Sequence, residues 1–230
     1  MKMRRFKNEK INKLPEIQKV FKNELIENEA VSKITIYGDI GESWAGNFIT
    51  ETDIEQALRE VTTDKVHVHI NSYGGDVFVG LAVRNQLKDH PAEVTVFIDG
   101  VGASAASIIA MGADKLIMNT GSVLMIHEAS TFAYGNKSDI QKTMNALEAI
   151  DKSLVDIYMA RYKGEREEME TMLKNETWFT ADEAVDIGLA DEVREGKSSD
   201  TEDPEEYKNS ILERFRSKNK QTVAASAKPN

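Results

Sequence analysis

Short apolar strands and amphipathic helices alternate along residues 31–194, and this alternation constrains the fold more than any other feature of the chain. Apolar patterns predict strands at 33–37, 66–70, 94–98, 115–118 and 123–126. Helical periodicity predicts helices at 53–61, 79–90, 104–112 and 138–162, and a shorter one after Thr180. Strands that alternate with helices pair in parallel through right-handed crossovers, so we expect an α/β fold with a mostly parallel sheet.

Two of the predicted helices begin with the residue pair of a capping box. Ser138 is followed three residues later by Gln141, and Thr180 is followed by Glu183. We expect Gly188 to end the second of these helices. The first helix is long and has a single apolar stripe, formed by Ile140, Met144, Leu147, Leu154 and Tyr158.

The two ends of the chain differ in composition from this core. Residues 1–30 carry eight Lys or Arg and five Asp or Glu, and we interpret them as an N-terminal arm, mobile or dependent on a partner. Residues 195–230 are acidic, small and polar, and we interpret them as a flexible charged tail. Within the tail, Tyr207, Ile211 and Phe215 have helical spacing, which fits either a docking helix or a weak helix in a loose tail. The central domain is therefore placed at 31–194.

Composition excludes several classes of function. The net charge of −10 does not suit a nucleic-acid-binding protein. The absence of cysteine excludes disulfides, thiolate metal sites and cysteine nucleophiles. We expect no membrane span and no nucleotide site, since the sequence has no apolar run of 18 residues and no GxxxxGK[ST] pattern. A basic start without a following apolar region is not typical of a signal peptide, so we expect a cytoplasmic protein. No motif for a metal or nucleotide is visible either, and we expect no cofactor or metal.

A paired-glycine turn follows the predicted strand at 66–70, in the segment INSYGGD that ends at Asp76. Glycine permits positive φ and close approach of another backbone. A backbone N–H in such a turn can stabilise an oxyanion. The same pattern also fits an ordinary turn between a strand and a helix.

A second segment, GVGASAAS, joins the strand at 94–98 to a small-residue helix that begins at Ser104. A hydroxyl at that position fits a nucleophile with room around it for an acyl group. It fits equally well a simple helix N-cap. Ser107, one helical turn further on, is a competing nucleophile.

Three histidines lie in or directly after the predicted strands. His127 directly follows the apolar strand at 123–126. An imidazole at such a place can face a site and have a pKa near neutral pH. A structural role is the commoner explanation of a lone histidine. His67 and His69 share one face of their strand, as metal ligands can. No third ligand is near in sequence, so a partly solvated sheet face is the favoured interpretation.

In their order and spacing, four segments together resemble the proteolytic subunit of the caseinolytic (Clp) proteases, ClpP. The segments are INSYGGDVFVGLAV, GASAASIIAMGA, SVLMIHEA and WFTADEAVDIGLADEV. The similarity covers about residues 31–194. It implies a ClpP/crotonase-like spiral of αββ units with a protruding handle helix at 138–162. It also implies a serine endopeptidase whose subunits form homo-oligomeric rings around the active sites.

The resemblance also implies a role for individual residues. Ser104 falls on the nucleophile and His127 on the general base of a Ser-His-acid triad. The glycine Gly75 and Ala105, the residue after the nucleophile, fall on the two oxyanion-hole donors. The acid, usually Asp, falls on Glu176, which is one methylene longer but can still orient the imidazole. Asp182 and Asp186 are alternative acids, although both fall on the following helix.

Several details are closer to the phage branch of the family, the Clp-like head maturation (prohead) proteases. These details are the segments IYGDIGESWAGNFIT, SAAS and ETWFTADEA. This branch implies capsid or scaffold proteins as substrates, and a location in the host cytoplasm or prohead. The alternative is a housekeeping subunit that works with a separate ATP-driven unfoldase.

Two further interpretations stay open. A crotonase-like enzyme acting on coenzyme A thioesters shares the fold, but it needs neither the serine nor the histidine, and no basic patch for the coenzyme is evident. A catalytically silent ring or scaffold component is allowed by the change from Asp to Glu176. The presence of Ser104, His127 and both oxyanion positions argues against that second interpretation.

Overall fold

The computed structural model describes residues 17–41 and 48–195. Within these ranges the chain forms one mixed sheet with helices packed on it. The strands are β1 (Val20–Ile26), β2 (Val31–Tyr37), β3 (Lys65–Ser72), β4 (Glu93–Ala103), β5 (Lys115–Asn119), β6 (Val123–Ile126), β7 (Thr177–Thr180) and β8 (Glu192–Arg194). The helices are α1 (Glu51–Arg59), α2 (Val77–Lys88), α3 (Ala105–Ala110), α4 (Lys137–Met159), α5 (Arg166–Lys174) and α6 (Ala181–Asp186).

The sheet has the order β1-β2-β3-β4-β5-β8, and its pairs from β2 to β8 are parallel. This confirms the predicted α/β fold. Strand β4 is unusually long and changes partner along its length. Its first half pairs with β5 and its second half, Val101–Ala103, pairs in parallel with β6. Strand β7 then pairs antiparallel with β6, so β4, β6 and β7 form a separate wing of the sheet.

The core lies on one face of the central strands, because side chains alternate between the two faces of a sheet. Three alternate residues of β3 and three of the first half of β4 are completely buried in the main apolar cluster. These residues are Val66, Val68, Ile70, Val94, Val96 and Ile98. Helices α1, α2 and α3 contribute Ile54, Val83 and Ile109 to the same cluster. Among the described residues, no helix is long and apolar enough to cross a membrane.

Strand β1 lies inside the segment predicted to be an arm. It pairs antiparallel with β2 along its whole length, from Val20 opposite Tyr37 to Ile26 opposite Val31. Its polar centre, KNE, hides the strand pattern in the sequence, and an edge strand tolerates such residues because its pairing uses the backbone. The remainder of the predicted arm, residues 1–16, lies outside the described residues. So does the predicted tail after residue 195, including Tyr207, Ile211 and Phe215.

The N-cap of helix α4 lies two residues before the predicted cap, Ser138. The side chain of Asn136 accepts hydrogen bonds from Ser138 N and Asp139 N, so the capping box is Asn136 with Asp139 and not Ser138 with Gln141. Asn is as favourable an N-cap as Ser, and Asn136 precedes Ser138 in the chain, so the helix begins after Asn136. The second predicted box, Thr180 with Glu183, is confirmed at α6.

The predicted apolar stripe of α4 is buried at only one end. Leu154 and Tyr158 lie in the core, whereas Ile140 and Met144 are 40% and 50% exposed. The N-terminal half of the helix therefore protrudes from the domain.

Candidate active site

Ser104 occupies the single residue between β4, which ends at Ala103, and α3, which begins at Ala105. Its backbone has φ +57° and ψ −125°, a conformation that costs a non-glycine residue about 1–3 kcal/mol. Hydrogen bonds hold the residue on both sides. Its N–H donates to the carbonyl of Met125 at 3.0 Å, and its carbonyl accepts from Ser107 N at 2.9 Å. The turn presents the half-buried Ser104 side chain toward β6.

His127 is the first residue after β6. Because Ala103 of β4 pairs with Met125 of β6, the ends of the two parallel strands lie side by side. The Nε2 atom of His127 lies 2.8 Å from the Oγ atom of Ser104. A neutral imidazole at this distance can accept the serine proton, which is the relationship of a nucleophile to its general base.

Glu176 lies between α5 and β7. In the ladder of β6 and β7, Ile126 pairs with Thr177. His127 directly follows Ile126 and Glu176 directly precedes Thr177, so both residues adjoin this pair. Glu176 is only 9% exposed, as a carboxylate that orients an imidazole should be.

The segments that follow the base and precede the acid are also tied together. The backbone N–H of Glu128 donates to the carbonyl of Leu173, and so does that of Glu176. The alternative acids Asp182 and Asp186 lie on α6 and are both exposed. Their exposure does not suit the buried acid of a triad.

Backbone strain is concentrated at two of the predicted site residues. Among the described residues, positive φ at a non-glycine position occurs at Ala30, Ser104 and Glu176. Ala30 belongs to the turn between β1 and β2. Strain of this kind persists where the surrounding structure enforces it, and it is common at functional sites. Nothing in the sequence signals it, because the sequence alone assigns no φ.

The paired-glycine turn lies directly against Ser104. A Cβ atom at Gly74, where φ is +93°, would come within 2.7 Å of Ser104 Cβ and 2.8 Å of Ala105 N. A Cβ at Gly75 would collide with the carbonyl of Ile40. Only glycine therefore fits at either position. The turn brings the exposed Gly75 next to the segment that contains Ser104 and Ala105, as an oxyanion hole requires.

Two residues that hold the glycine turn and the segment after His127 were not predicted from the sequence. Ile40 pairs with the glycine turn, since its N–H donates to Gly74 O at 3.1 Å and its carbonyl accepts from Asp76 N at 3.0 Å. Asp151 of α4 accepts a hydrogen bond from Ala129 N at 2.8 Å, two residues after the base. Both contacts join residues far apart in sequence, so no local pattern marks them.

Ser107, the competing nucleophile, is completely buried. Its hydroxyl donates to the carbonyl of Ser104 at 2.7 Å and lies 2.8 Å from the hydroxyl of Tyr158. Both contacts are structural. A serine held in this way is not presented to a substrate.

His67 and His69 lie on the sheet face opposite the core. His69 Nδ1 is 2.8 Å from the Asp99 carboxylate, which also accepts hydrogen bonds from Tyr37 at 2.6 Å and Asn119 at 2.7 Å. Burial alone would raise the pKa of Asp99, but the hydrogen bonds from His69 and Tyr37 lower it below its ordinary value. No group of three or more possible metal ligands occurs in the part of the chain that the structure describes.

The comparisons with known proteins agree on one family. The Clp protease family model matches residues 22–197. The chain is 34% identical over 128 residues to the ATP-dependent Clp protease proteolytic subunit 1 of Chlamydia abortus, an overlap covering 54% of this chain and 67% of that protein. It is 29% identical over 169 residues to the proteolytic subunit of Ligilactobacillus salivarius, covering 71% and 83%.

The structure is similar to that of a mutant of ClpP1 from Listeria monocytogenes. The TM-score is 0.58 at 22% sequence identity, over 72% of this chain and 92% of that one. This confirms the predicted ClpP-like fold.

Proposed function

Because this chain belongs to the Clp protease family, whose members are serine-type peptidases, we propose that Ser104, His127 and Glu176 form its catalytic triad. The observation that carries the proposal is the 2.8 Å contact between His127 Nε2 and Ser104 Oγ. The strained backbone at Ser104 and Glu176 supports it. The pairing of Ile126 with Thr177, which His127 follows and Glu176 precedes, supports the choice of acid, as does the burial of Glu176.

The reaction proceeds by acyl transfer. His127 Nε2 takes the proton of Ser104 as Oγ forms a bond to the scissile carbonyl carbon. The backbone N–H groups of Gly75 and Ala105 stabilise the resulting oxyanion. The C–N bond then breaks as His127 gives the proton to the leaving amine, and water activated by His127 hydrolyses the acyl-enzyme. Glu176 orients the imidazole and stabilises its charged form.

Labelling by a fluorophosphonate tests this proposal, because the probe reacts only with an activated serine. The purified chain is treated to completion and its intact mass is measured beside Ser104→Ala and Ser107→Ala. We expect label on the wild-type chain and on Ser107→Ala, but not on Ser104→Ala. Loss of the label in Ser107→Ala alone would contradict the assignment and would place the nucleophile one helical turn further along the chain, at Ser107. A wild-type chain without label would favour a silent scaffold.

The protruding half of α4 supports a homo-oligomeric ring. Ile140 and Met144 are exposed on it, and Phe132 and Tyr134, just before the helix, are 79% and 100% exposed. Apolar side chains gathered in this way mark an interaction surface. We expect Ile140→Asp with Met144→Asp to lower the sedimentation coefficient, whereas Asn145→Asp on the same helix leaves it unchanged. An unchanged assembly mass in the double variant would contradict a role for α4.

For the biological role we propose head maturation, the cleavage of capsid or scaffold proteins in an assembling phage head. Its support is the phage-like character of the segments SAAS and ETWFTADEA. A second role, a subunit fed by a separate unfoldase, is favoured by the names of the relatives, which are ATP-dependent Clp protease proteolytic subunits.

These two roles differ in their need for ATP. The purified chain is incubated with casein and with a folded protein, each with and without a Clp unfoldase and ATP. Head maturation predicts cleavage of casein that the unfoldase does not increase. Degradation of the folded protein only when the unfoldase and ATP are present would favour the second role.

A further inference from the structure

A chain of two buried hydroxyl groups connects helix α4 to the residue proposed as the nucleophile. Tyr158 is 1% exposed and Ser107 is completely buried. Their hydroxyl oxygens lie 2.8 Å apart. From Ser107, the Oγ atom is 2.7 Å from the carbonyl oxygen of Ser104.

The direction of these hydrogen bonds follows from the donors available. A carbonyl oxygen can only accept, so the hydroxyl proton of Ser107 is directed at Ser104 O. A serine hydroxyl has one proton, and the second contact must therefore be donated by Tyr158. Burial raises the pKa of Tyr158, which keeps the phenol protonated and able to donate.

The carbonyl at the end of this chain belongs to the peptide group that joins Ser104 to Ala105. A peptide group is planar, with its C=O and N–H pointing in opposite directions. Fixing the carbonyl of Ser104 therefore fixes the direction of the Ala105 N–H, one of the two proposed oxyanion donors. It also fixes ψ of Ser104, whose backbone is strained.

We propose that Ser107 and Tyr158 are positioning residues that hold the Ser104–Ala105 peptide group in its reactive orientation. This inference rests on the proposed function, since it assumes that Ser104 is the nucleophile. The backbone N–H groups of Ser107 and Ile108 already donate to Ser104 O at 2.9 and 3.2 Å. The Ser107 hydroxyl is thus a third donor, beyond what helix formation needs.

One completely buried hydroxyl in this fold, that of Ser122, makes no hydrogen bond within the part of the chain that the structure describes. The residue as a whole is 1% exposed. Tyr162, which follows α4, donates instead to Glu168 at 2.9 Å. Ser122→Ala and Tyr162→Phe are therefore controls that remove the same groups from side chains that make no hydrogen bond to Ser104 or Ser107.

The test is the rate of fluorophosphonate labelling, separated into kinact and KI, with the melting temperature of each variant measured in parallel. The phosphonyl oxygen occupies the oxyanion hole, so kinact reports on the Ala105 N–H. We expect Ser107→Ala to lower kinact about three- to tenfold, the effect of one ordinary hydrogen bond, with KI unchanged. Tyr158→Phe leaves the Ser107 donor in place and should lower kinact less.

The double variant Ser107→Ala with Tyr158→Phe separates positioning from stability. Ser107→Ala alone leaves a buried phenol without a partner, which lowers the melting temperature. The double variant removes both polar groups, so we expect its melting temperature to recover while kinact stays as low as in Ser107→Ala. It also provides the measurement if the single variant does not fold.

Three results would overturn the inference. The first is an unchanged kinact in a folded Ser107→Ala or double variant. The second is recovery of kinact together with the melting temperature in the double variant, and the third is an equal loss in the two controls. In each of these cases a labelled wild-type chain would leave the proposed function intact. An unlabelled wild-type chain would instead contradict the proposed function, and this inference with it.

Discussion

Thr177 of β7 pairs with Ile126 of β6, and two residues of the candidate triad adjoin this antiparallel pair. His127 directly follows Ile126, and Glu176 directly precedes Thr177. His127 therefore follows a strand that is flanked by β7, which Glu176 precedes, and by β4, which ends just before Ser104 and is parallel to β6. Two neighbouring strand pairs thus bring together residues that are 23 and 49 positions away from His127 in sequence.

The acid can be tested at Glu176 by changing its charge and its length separately. We expect Glu176→Gln to lower kcat by about 10⁴-fold, as removal of the triad carboxylate does in other serine proteases. Glu176→Asp keeps the charge on a shorter side chain and should retain part of the activity. Peptidase rates on a fluorogenic peptide provide the measurement. Asp182→Asn is the matched control, and a loss of activity there equal to that of Glu176→Gln would contradict the assignment.

The glycine turn can be tested at Gly75. In Gly75→Ala the new Cβ collides with the carbonyl of Ile40, so the turn must shift and its N–H moves away from the oxyanion. We expect kcat to fall by about 10²–10³-fold, the cost of one oxyanion donor. Gly121 also has positive φ, but nothing lies within 4 Å of an added Cβ. Gly121→Ala should therefore lose some stability and no intrinsic activity, and equal kcat losses in the two variants would count against an oxyanion role.

Asp151 is expected to hold the segment that follows the base. Its carboxylate accepts the hydrogen bond of Ala129 N at 2.8 Å. Asp151→Asn retains an acceptor oxygen and should keep most of the activity. Asp151→Ala leaves the Ala129 N–H without its acceptor and should lower kcat several-fold with KM nearly unchanged. Steady-state kinetics on the same peptide measure kcat and KM for both variants. Equal kcat values in Asp151→Asn and Asp151→Ala would contradict this role.

The Asp99 network predicts a dependence of stability on acid pH. The pKa of Asp99 is lower in the folded state than its ordinary value, because the hydrogen bonds from His69 and Tyr37 outweigh the effect of burial. Its contribution to stability is therefore complete above the ordinary pKa, and it is lost as the pH falls through the folded value. We expect Asp99→Asn to lower the free energy of unfolding by about 1–3 kcal/mol at pH 7.

This difference between Asp99→Asn and the wild type should shrink as the pH falls below about 4, where the unfolded carboxyl is protonated. Urea unfolding at several pH values measures it. Lys115 and Glu192, an ion pair that is about half exposed, supply a control, since Glu192→Gln should change stability little at any pH. A deficit of Asp99→Asn that did not change with pH would contradict the linkage.

Local sequence was sufficient to predict most elements, because the period of the apolar residues depends only on neighbours along the chain. Strand β3 and helix α2 fall within two residues of their predicted bounds for this reason. Strand β4 begins one residue before its predicted start but continues five residues past its predicted end, to Ala103, because its second half is held by pairing with β6. Strand β1 was missed because an edge strand is held by backbone pairing, which leaves no apolar pattern in KNE. The start of α4 was misplaced because two adjacent capping signals compete, and Asn136 precedes Ser138.

The sequence by itself determined which chemistry is available: a serine after a strand, a histidine after another, two glycines in a turn and no cysteine. Tertiary structure decided which of these groups meet. The sequence does not distinguish Ser104 from Ser107 as the nucleophile. In the structure, the Oγ atom of Ser104 lies 2.8 Å from His127 Nε2. The hydroxyl of Ser107 instead contacts a backbone carbonyl and the hydroxyl of Tyr158. Strand pairing likewise brings Glu176, which precedes Thr177, to the same end of the β6–β7 ladder as His127. The physical reason is that strand register and backbone strain arise from hydrogen bonds between distant segments, which no local pattern encodes.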